Sequence, residues 1–344
     1  MAVTVRRADL TLEHERDDLF RVLDTNLPGL PHRTRFEWLY RANPAGPAWC
    51  WFACAADGRV IGTASLFPRA VWVDGTLTRC GQVCDFAIDA SHRTLGPAVM
   101  LQRATLGPVD AGELAFCYDC PPHERGMATF RRLGLDTTSE TRRWARLVRA
   151  DRAIARRVRG ASWQTVLATA ANAALRLVTL ARPPVLGLDV ETHTGAFGEE
   201  FTALDAAIRG RQTTRSRRAA EDMTWRYRLD PLETWSVVTA RRAGSLVAFA
   251  AYTRRGQDVH VADVFGHLTL DVVRALFDAV ADGAAAARAQ TLQTVVGDAD
   301  ELAGLLPGAR FRARDDGPRV VAYDGASTPA RRGAWSLRSA DLTA

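Results

Sequence analysis

Residues 81–98 read GQVCDFAIDASHRTLGPA and decide the fold that we predict for this chain. Residues 81–89 form a nearly continuous apolar strand, and a short loop then leads into RTLGPA at 93–98, which opens a helix. A strand that runs into a tight turn at a helix N-terminus leaves several backbone N–H groups without partners. Glycine lets a phosphate approach the backbone closely, and arginine adds positive charge. The stretch therefore predicts a turn that binds a pyrophosphate group.

The segments around this stretch alternate between strands and helices. Asp57-Gly58 and Asp74-Gly75 each join two short strands, because Asp-Gly tolerates the positive φ angles of a tight hairpin turn. Downstream we predict a strand over 113–119, a helix over 122–133 and a last strand over 138–148. This order predicts an α/β (α+β) domain with hairpins before the turn and helices after it.

The second half of the chain repeats the first. FEWLYR at 36–41 and MTWRYR at 223–228 are each followed by a proline and by two strands around a glycine-bearing turn. The loop after the matching strand of the second half lacks the Arg-x-x-Gly-x-Ala pattern, so only the first copy is expected to bind a phosphate. The predicted parts are a first domain (1–148), a helical connector (149–184), a degenerate second domain (185–325) and a polar tail (326–344).

Residues 93–98 resemble the signature Q/R-x-x-G-x-G/A of the GNAT superfamily, the acyl-CoA-dependent N-acyltransferases. The context agrees, since 86–89 resemble the splayed fourth strand of the family, 114–118 its fifth strand and 129–135 its aromatic-x-x-Leu-Gly-aliphatic helix end. The resemblance implies two GNAT-like domains joined by a helical connector. Each has a mixed, mostly antiparallel sheet with a V-shaped splay, flanked by helices.

The resemblance also implies a reaction. Acetyl-CoA or another acyl-CoA is the co-substrate, and no metal takes part. A backbone N–H of the fourth strand binds the thioester oxygen, and a primary amine of a small molecule or an amino sugar attacks directly, without a covalent enzyme intermediate. The cofactor-binding residues implied are Ala87, Ile88, Arg93, Thr94, Leu95, Gly96 and Ala98.

Two positions depart from the family pattern. Pro97 has no N–H, so one phosphate donor is missing, although proline suits the first turn of a helix. Phe130 stands where the family usually has a tyrosine that protonates the leaving thiolate. Another group then supplies the proton, or no acid is needed, or this copy is catalytically poor.

Three residues are candidates for acid–base chemistry. Asp85 interrupts an apolar strand, where burial would raise the pKa of a carboxylate, unless an arginine or a hydroxyl satisfies it. Tyr118 and His123 follow the fifth strand, near the place where the thiol should emerge. Each also has a plain structural interpretation, as a sheet tyrosine and as an exposed residue at a helix start.

Composition and charge narrow the functional class. The net charge of +6 suits an anionic ligand such as CoA, and it is too diffuse to indicate nucleic acid. The opening residues have no signal-peptide pattern and no long apolar run follows, which predicts a cytoplasmic protein with reduced thiols. A zinc site at the Cys-x-x-Cys of 117–120 is not expected, because those two side chains would point to opposite faces of a strand.

The connector leaves an alternative open. Its arginines precede an amphipathic helix, which can lie on an anionic membrane or can pack across the two domains with the arginines in solvent. The arginines also raise a second enzyme class, the Fem-type aminoacyltransferases, which have two GNAT-like domains and use aminoacyl-tRNA. A non-catalytic, degenerate GNAT pair that serves as a binding module is the third interpretation.

Overall fold

The computed structural model consists of two β-sheets flanked by helices. It describes residues 3–121, 124–180, 185–208, 214–325 and 335–342. The strands are β1 Thr4–Arg7, β2 Trp49–Cys54, β3 Val60–Val73, β4 Thr76–Ile88, β5 Cys117–Asp119, β6 Thr141–Leu147, β7 Asp189–His193, β8 Thr214–Ser216, β9 Trp235–Arg242, β10 Ser245–Arg255, β11 Asp258–Gly266, β12 Thr291–Gly297, β13 Arg312–Asp316, β14 Val321–Tyr323 and β15 Trp335–Ser336.

Helices cover both sheets. A π-helical turn over Glu37–Arg41 and a 3-10 turn over Ala90–His92 complete the set. The α-helices are α1 Glu13–Asn26, α2 His32–Phe36, α3 Leu95–Asp110, α4 Glu124–Arg132, α5 Asp151–Ala155, α6 Ala161–Leu180, α7 Glu199–Ile208, α8 Ala220–Tyr227, α9 Leu270–Ala286, α10 Glu301–Leu305 and α11 Ser339–Leu342.

The two sheets share one plan. The first has the order β1-β2-β3-β4-β5-β14, with β8 on the outer end of β3 and β15 on β8. The second has the order β13-β6-β12-β11-β10-β9-β7. Within each of these strand orders, neighbouring strands are antiparallel except for one central parallel pair. The parallel pair is β4 with β5 in the first sheet and β11 with β12 in the second. This arrangement confirms the predicted fold class.

The central parallel pairs separate after a short contact. The register of β4 and β5 runs only from Gly81–Cys117 to Val83–Asp119, although β4 continues to Ile88. The register of β11 and β12 ends in the same way after three residue pairs. Each sheet therefore opens in a V, and the V of the first sheet leads from the turn before α3 into the middle of the molecule.

Strand β6 is exchanged between the halves. We predicted residues 138–148 as the last strand of the first domain, but β6 lies between β12 and β13 in the second sheet. In return, β14 from the second half pairs with β5. The sequence pattern predicts a strand without naming its partner, because period-two alternation fixes which face is buried and not which strand lies beside it.

Residues 335–342 correct the expectation of a polar tail. Trp335, Arg338 and Asp341 are 4%, 2% and 3% exposed. Arg338 forms a buried ion pair with Asp300, and β15 pairs with β8. The charged residues of this segment are buried because they are paired inside the protein, Arg338 with Asp300 and Asp341 with Arg218.

The helices follow from ordinary local signals. In α9 the side chain of Thr269 caps the helix by accepting a hydrogen bond from the N–H of Val272 at 3.4 Å. Val273, Phe277 and Val280 then return to one face at helical spacing and are fully buried. Within the described parts of the chain, every helix is too short or too polar to cross a bilayer.

Candidate active site

A cavity of about 710 Å³ lies between the two domains, at the inner end of the first splay. Its wall is mostly apolar and aromatic, and it carries a few charged groups. From the first domain come Leu27, Leu30, Arg35, Trp38, Cys84, Asp85, Phe86, Gln102, Asp119, Cys120, Pro121, Gly126, Thr129 and Phe130. From the second half come Trp225, Arg226, Tyr227, Asp230, Leu232, Glu233, Trp235, Arg255, His260, Ala262, Ser339, Ala340 and Leu342.

The turn before α3 is exposed, and its first amides are free. Thr94 takes the N-cap position, but its side chain makes no capping hydrogen bond. Among the described residues, no acceptor lies within hydrogen-bond distance of the N–H of Leu95 or of Gly96. A Cβ placed on Gly96 would have nothing within 4 Å, so the space above the turn is open. Open amides at a helix N-terminus are a geometry that can bind an anion.

The N-terminus of the matching helix in the second domain is already capped by a side chain. Helix α9 occupies the place of α3 in the second sheet, and the hydroxyl of Thr269 already occupies its N-terminus. The loop before it is Gly266-His267-Leu268, without the arginine pattern. The two helix N-termini therefore differ in that Thr269 caps the second and no side chain caps the first.

Arg93 ties the turn to its surroundings. Its Nε donates to the carbonyl oxygen of Ile88 at 3.0 Å, and its Nη2 donates to Oδ1 of Asn26 at 2.9 Å. Asn26 in turn donates to the carboxylate of Asp89 at 2.9 Å. The exposed guanidinium therefore fixes the end of β4 and keeps positive charge beside the open amides.

The free edge of β4 carries a candidate oxyanion donor. The N–H of Asp89 donates to the carbonyl of Ile61 on β3 at 2.8 Å. Because N–H groups alternate in direction along a strand, the N–H of Ala87 also points to β3, and that of Ile88 points to the open side of the splay. Of the two predicted positions, Ile88 has the geometry that the role requires.

Asp85 lies in the wall of the cavity, with both carboxylate oxygens engaged. Arg35 Nη2 donates to Oδ1 at 2.5 Å, and the Tyr40 hydroxyl donates to Oδ2 at 2.6 Å. Burial raises the pKa of Tyr40 well above its usual value, so its hydroxyl keeps the proton that it shares. Asp85 is only 8% exposed and has a φ of +51°, at a bulge that turns its side chain away from the pairing of β3 and β4.

The second domain repeats this arrangement. Arg218 Nε donates to the carboxylate of Asp263 at 2.7 Å, and the hydroxyl of Tyr227 donates to it at 3.3 Å. The copy without an open turn thus also places an arginine and a tyrosine on a buried aspartate, although Arg218 comes from a different position in the repeat and pairs with Asp341 as well, at 3.0 Å. A group that both copies retain is more simply explained by the fold than by the reaction.

The structure does not bring Tyr118 to the cavity. Its hydroxyl donates to the carbonyl of Asp341 at 3.0 Å, and its ring packs edge-on against Trp335. Burial raises the pKa of Tyr118 well above its ordinary range. Neighbouring side chains of a strand point to opposite faces, so it is the next residue, Asp119, that faces the cavity. The third candidate, His123, lies outside the described residues.

Asp119 is the acidic residue that the sequence analysis missed. It ends β5 where the V opens, and no side chain among the described residues donates a hydrogen bond to it or pairs with its charge. Burial raises the pKa of Asp119 to about 7, and the N–H of Cys120 opposes this rise. A carboxyl group with this pKa can both accept and return a proton near neutral pH.

The remaining charged groups of the cavity have partners. The carboxylate of Glu233 accepts from Arg255 at 2.9 Å, and Asp230 accepts from the indole of Trp235 at 2.8 Å. Burial lowers the pKa of His260 to about 4, so this imidazole is neutral at pH 7. Phe130 is 4% exposed and contributes only an apolar ring.

The likeness to solved structures extends over both domains. A GCN5-related N-acetyltransferase from Anabaena variabilis matches with a TM-score of 0.66 and 13% identity, over 94% of this chain and 73% of that one. Myristoyl-CoA-bound N-myristoyltransferase from Saccharomyces cerevisiae matches at 0.60 and 11%, over 94% and 80%. Eis1 from Mycobacterium abscessus matches at 0.57 and 15%, over 93% and 73%.

These matches establish the fold. At 11 to 15% identity they leave the reaction and the ligands of this chain open. No protein-family model matches the sequence, and no curated protein matches it.

Proposed function

We propose that this chain, which has the two-domain GNAT-like fold, transfers an acyl group from acyl-CoA to a primary amine. One observation carries the proposal. The open amides of Leu95 and Gly96 lie at the outer end of a free strand edge, and the inner end of that edge reaches a mostly apolar cavity between the domains. A pyrophosphate at the turn would let a pantetheine arm follow β4 inward. Acyl-CoA as the acyl donor fits an enzyme that acts in the cytoplasm.

The donor is held by backbone rather than by side chains. The amides of Leu95, Gly96 and Ala98 face the phosphates, with Arg93 beside them. The N–H of Thr94, which the sequence also suggested, donates to the carbonyl of His92 at 2.6 Å and is not available. The N–H of Ile88 donates to the thioester oxygen and stabilises the negative charge that develops there. The same N–H has no strand partner in the described part of the chain, so it is available to the substrate.

Asp119 is the proposed acid–base group. The amine nitrogen attacks the thioester carbon, and Asp119 accepts the proton that the nitrogen loses. The tetrahedral intermediate then breaks its C–S bond, and Asp119 returns that proton to the departing sulfur, which leaves as the free thiol of CoA. This step removes the need for a tyrosine at position 130, because one carboxyl group serves in both directions.

The cavity favours an amine with an apolar body. Trp38, Trp225 and Trp235 line it together with Phe86 and Phe130. Asp119 is the cavity carboxylate without an arginine, tyrosine or tryptophan partner among the described residues, and it is the group that can attract the amine. An amino sugar would have to bury several hydroxyl groups against this wall, which is costly unless each finds a partner.

A donor and acceptor screen tests the proposal. Free thiol released from acetyl-, malonyl- and long-chain acyl-CoA is followed with apolar amines and with amino sugars as acceptors. We expect release that depends on an amine with an apolar body. CoA binding without release would indicate a binding module, and retention on tRNA at moderate salt without CoA binding would indicate an aminoacyltransferase of Fem type.

A further inference from the structure

The outer face of α6 carries an apolar stripe that is open to solvent. The stripe consists of Trp163, Val166, Leu167, Ala170, Ala174 and Leu177, whose spacing of three or four residues places them on one side of the helix. Trp163, Val166 and Leu177 are 67%, 57% and 65% exposed. Scattered exposed apolar residues are ordinary, but a continuous stripe along a helix marks a contact surface.

The orientation of α6 is fixed from its other face. The side chain of Asn172 accepts a hydrogen bond from the N–H of Ala150 at 2.7 Å and donates to Asp151 at 3.1 Å. Ala168, on the same inner face, is only 8% exposed. α5 is itself held by the pair of Arg152 with Asp258 at 3.0 Å. The stripe therefore faces outward because of specific contacts.

Positive charge accompanies the stripe. Arg156, Arg157 and Arg159 are exposed in the segment between α5 and α6. Within the described ranges, none of the three forms an ion pair with an acidic residue. The sequence has no Asp or Glu from Arg152 to Leu188. In the part of the chain that the structure describes, this run of arginines beside an apolar helix face therefore has no acidic partner.

We propose that the α6 stripe and the three arginines dock this protein on the surface of an anionic lipid bilayer. The stripe enters the boundary between headgroups and acyl chains, with Trp163 at the headgroup level, and the arginines bind the negative headgroups. α6 then lies along the membrane and does not cross it. The proposal is independent of acyl transfer.

Charge decides between a membrane and a second copy of this chain. A second copy could cover the apolar stripe, but its own segment offers only more arginine and no acidic residue between 152 and 188. Like charges brought together oppose association. An anionic bilayer supplies both the apolar depth and the missing negative charge.

Vesicle flotation of the full chain tests the proposal. We expect binding to phosphatidylcholine vesicles that contain phosphatidylserine, weaker binding at high salt, and little binding to pure phosphatidylcholine. Leu177→Asp should weaken binding about tenfold or more, since it removes one apolar side chain that the bilayer would bury. Each of Arg156→Ser and Arg157→Ser should weaken it about fivefold.

Leu77→Asp is the matched control, because Leu77 is 47% exposed on the hairpin between β3 and β4 and is not part of the α6 stripe. It should bind vesicles as the parent does. All variants change exposed side chains, so their thermal unfolding midpoints should agree with that of the parent, and this confirms that they fold. Equal binding of Leu177→Asp and Leu77→Asp would overturn the proposal. So would a dimer in sedimentation velocity that Leu177→Asp converts to a monomer, since the stripe would then belong to a second copy.

Discussion

The indole of Trp38 donates a hydrogen bond to the carbonyl of Trp225 at 2.8 Å, and the indole of Trp225 donates to the carbonyl of Trp38 at 2.9 Å. Their rings stack with centroids 5.1 Å apart and planes inclined by 23°. The two residues occupy the same place in the two copies of the internal repeat. The pair therefore relates the two domains by an approximate twofold axis and joins them at the wall of the cavity.

Replacing one indole should loosen this contact. Trp38→Phe keeps a stacked ring but leaves the carbonyl of Trp225 without its donor. We expect the free energy of unfolding to fall by about 1–3 kcal/mol, as for other buried groups left unsatisfied. Urea denaturation measures it. Trp163→Phe, at an exposed position, should change stability by less than about 0.5 kcal/mol. Equal effects of the two substitutions would argue against the reciprocal pair.

The carboxylate of Asp85 should be needed for stability. Asp85→Asn leaves the buried guanidinium of Arg35 without its counter-charge, and the expected loss is about 3–5 kcal/mol. Asp263→Asn, in the second copy, should lose less, because Arg218 keeps its buried ion pair with Asp341 at 3.0 Å. Urea denaturation of both variants provides the comparison. A fully stable Asp85→Asn protein that had lost turnover would instead make Asp85 catalytic.

Tyr118 should be dispensable for turnover. Its hydroxyl donates a hydrogen bond to the carbonyl of Asp341, and the side chain does not line the cavity. Tyr118→Phe should keep the kcat of the parent and lose about 1 kcal/mol of stability, the contribution of one hydrogen bond. A large fall in kcat at unchanged stability would restore Tyr118 as the general acid.

Asp119 should control the pH dependence of the reaction. Its pKa of about 7 predicts that kcat/KM rises with pH and reaches a plateau above that value. Asp119→Asn should lower kcat/KM by about 10²–10⁴ and remove the acidic limb of the profile. Steady-state rates between pH 5 and 9, a range of about two units on each side of this pKa, provide the test. An unchanged profile in the variant would exclude Asp119 as the base.

The same residue predicts a change in stability with pH. Because the pKa of Asp119 is raised in the folded protein, its neutral form stabilises the fold below the unfolded pKa of 3.8, and this contribution is lost as the pH rises to about 7. Asp119→Asn has no such loss. The variant should therefore gain stability relative to the parent between these two pH values, as measured by urea midpoints at several pH values. A difference in stability between variant and parent that stays constant with pH would show that the pKa of Asp119 is not raised by folding.

The sequence predicted those features that depend on local chain geometry. The turn at 93–98 needs only a strand, a glycine and a helix start, all of which lie in one continuous segment. The repeat of Trp38 and Trp225 predicted two related sheets, which the structure confirms. Both inferences use residues that are close together in the chain or that recur in the same order.

Features that depend on distant partners could not be predicted. The sheet that receives β6 depends on β12 and β13, which follow it by more than a hundred residues. The burial of 335–342 depends on Asp300 and on other charges elsewhere in the chain. Asp119 was missed, although the predicted strand over 113–119 included it, because its pKa depends on a cavity that the second domain completes. An acidic residue at the end of the splayed strand was the available signal.

Calorimetric titration with CoA tests the central claim most directly. Gly96→Trp fills the open space above the turn, and Gly107→Trp places the same ring farther along α3, where a Cβ also has nothing within 4 Å. We predict that the parent and Gly107→Trp bind CoA, and that Gly96→Trp folds but does not bind it. Equal affinity of all three proteins would contradict the account, because the phosphates would then lie somewhere other than at this helix N-terminus.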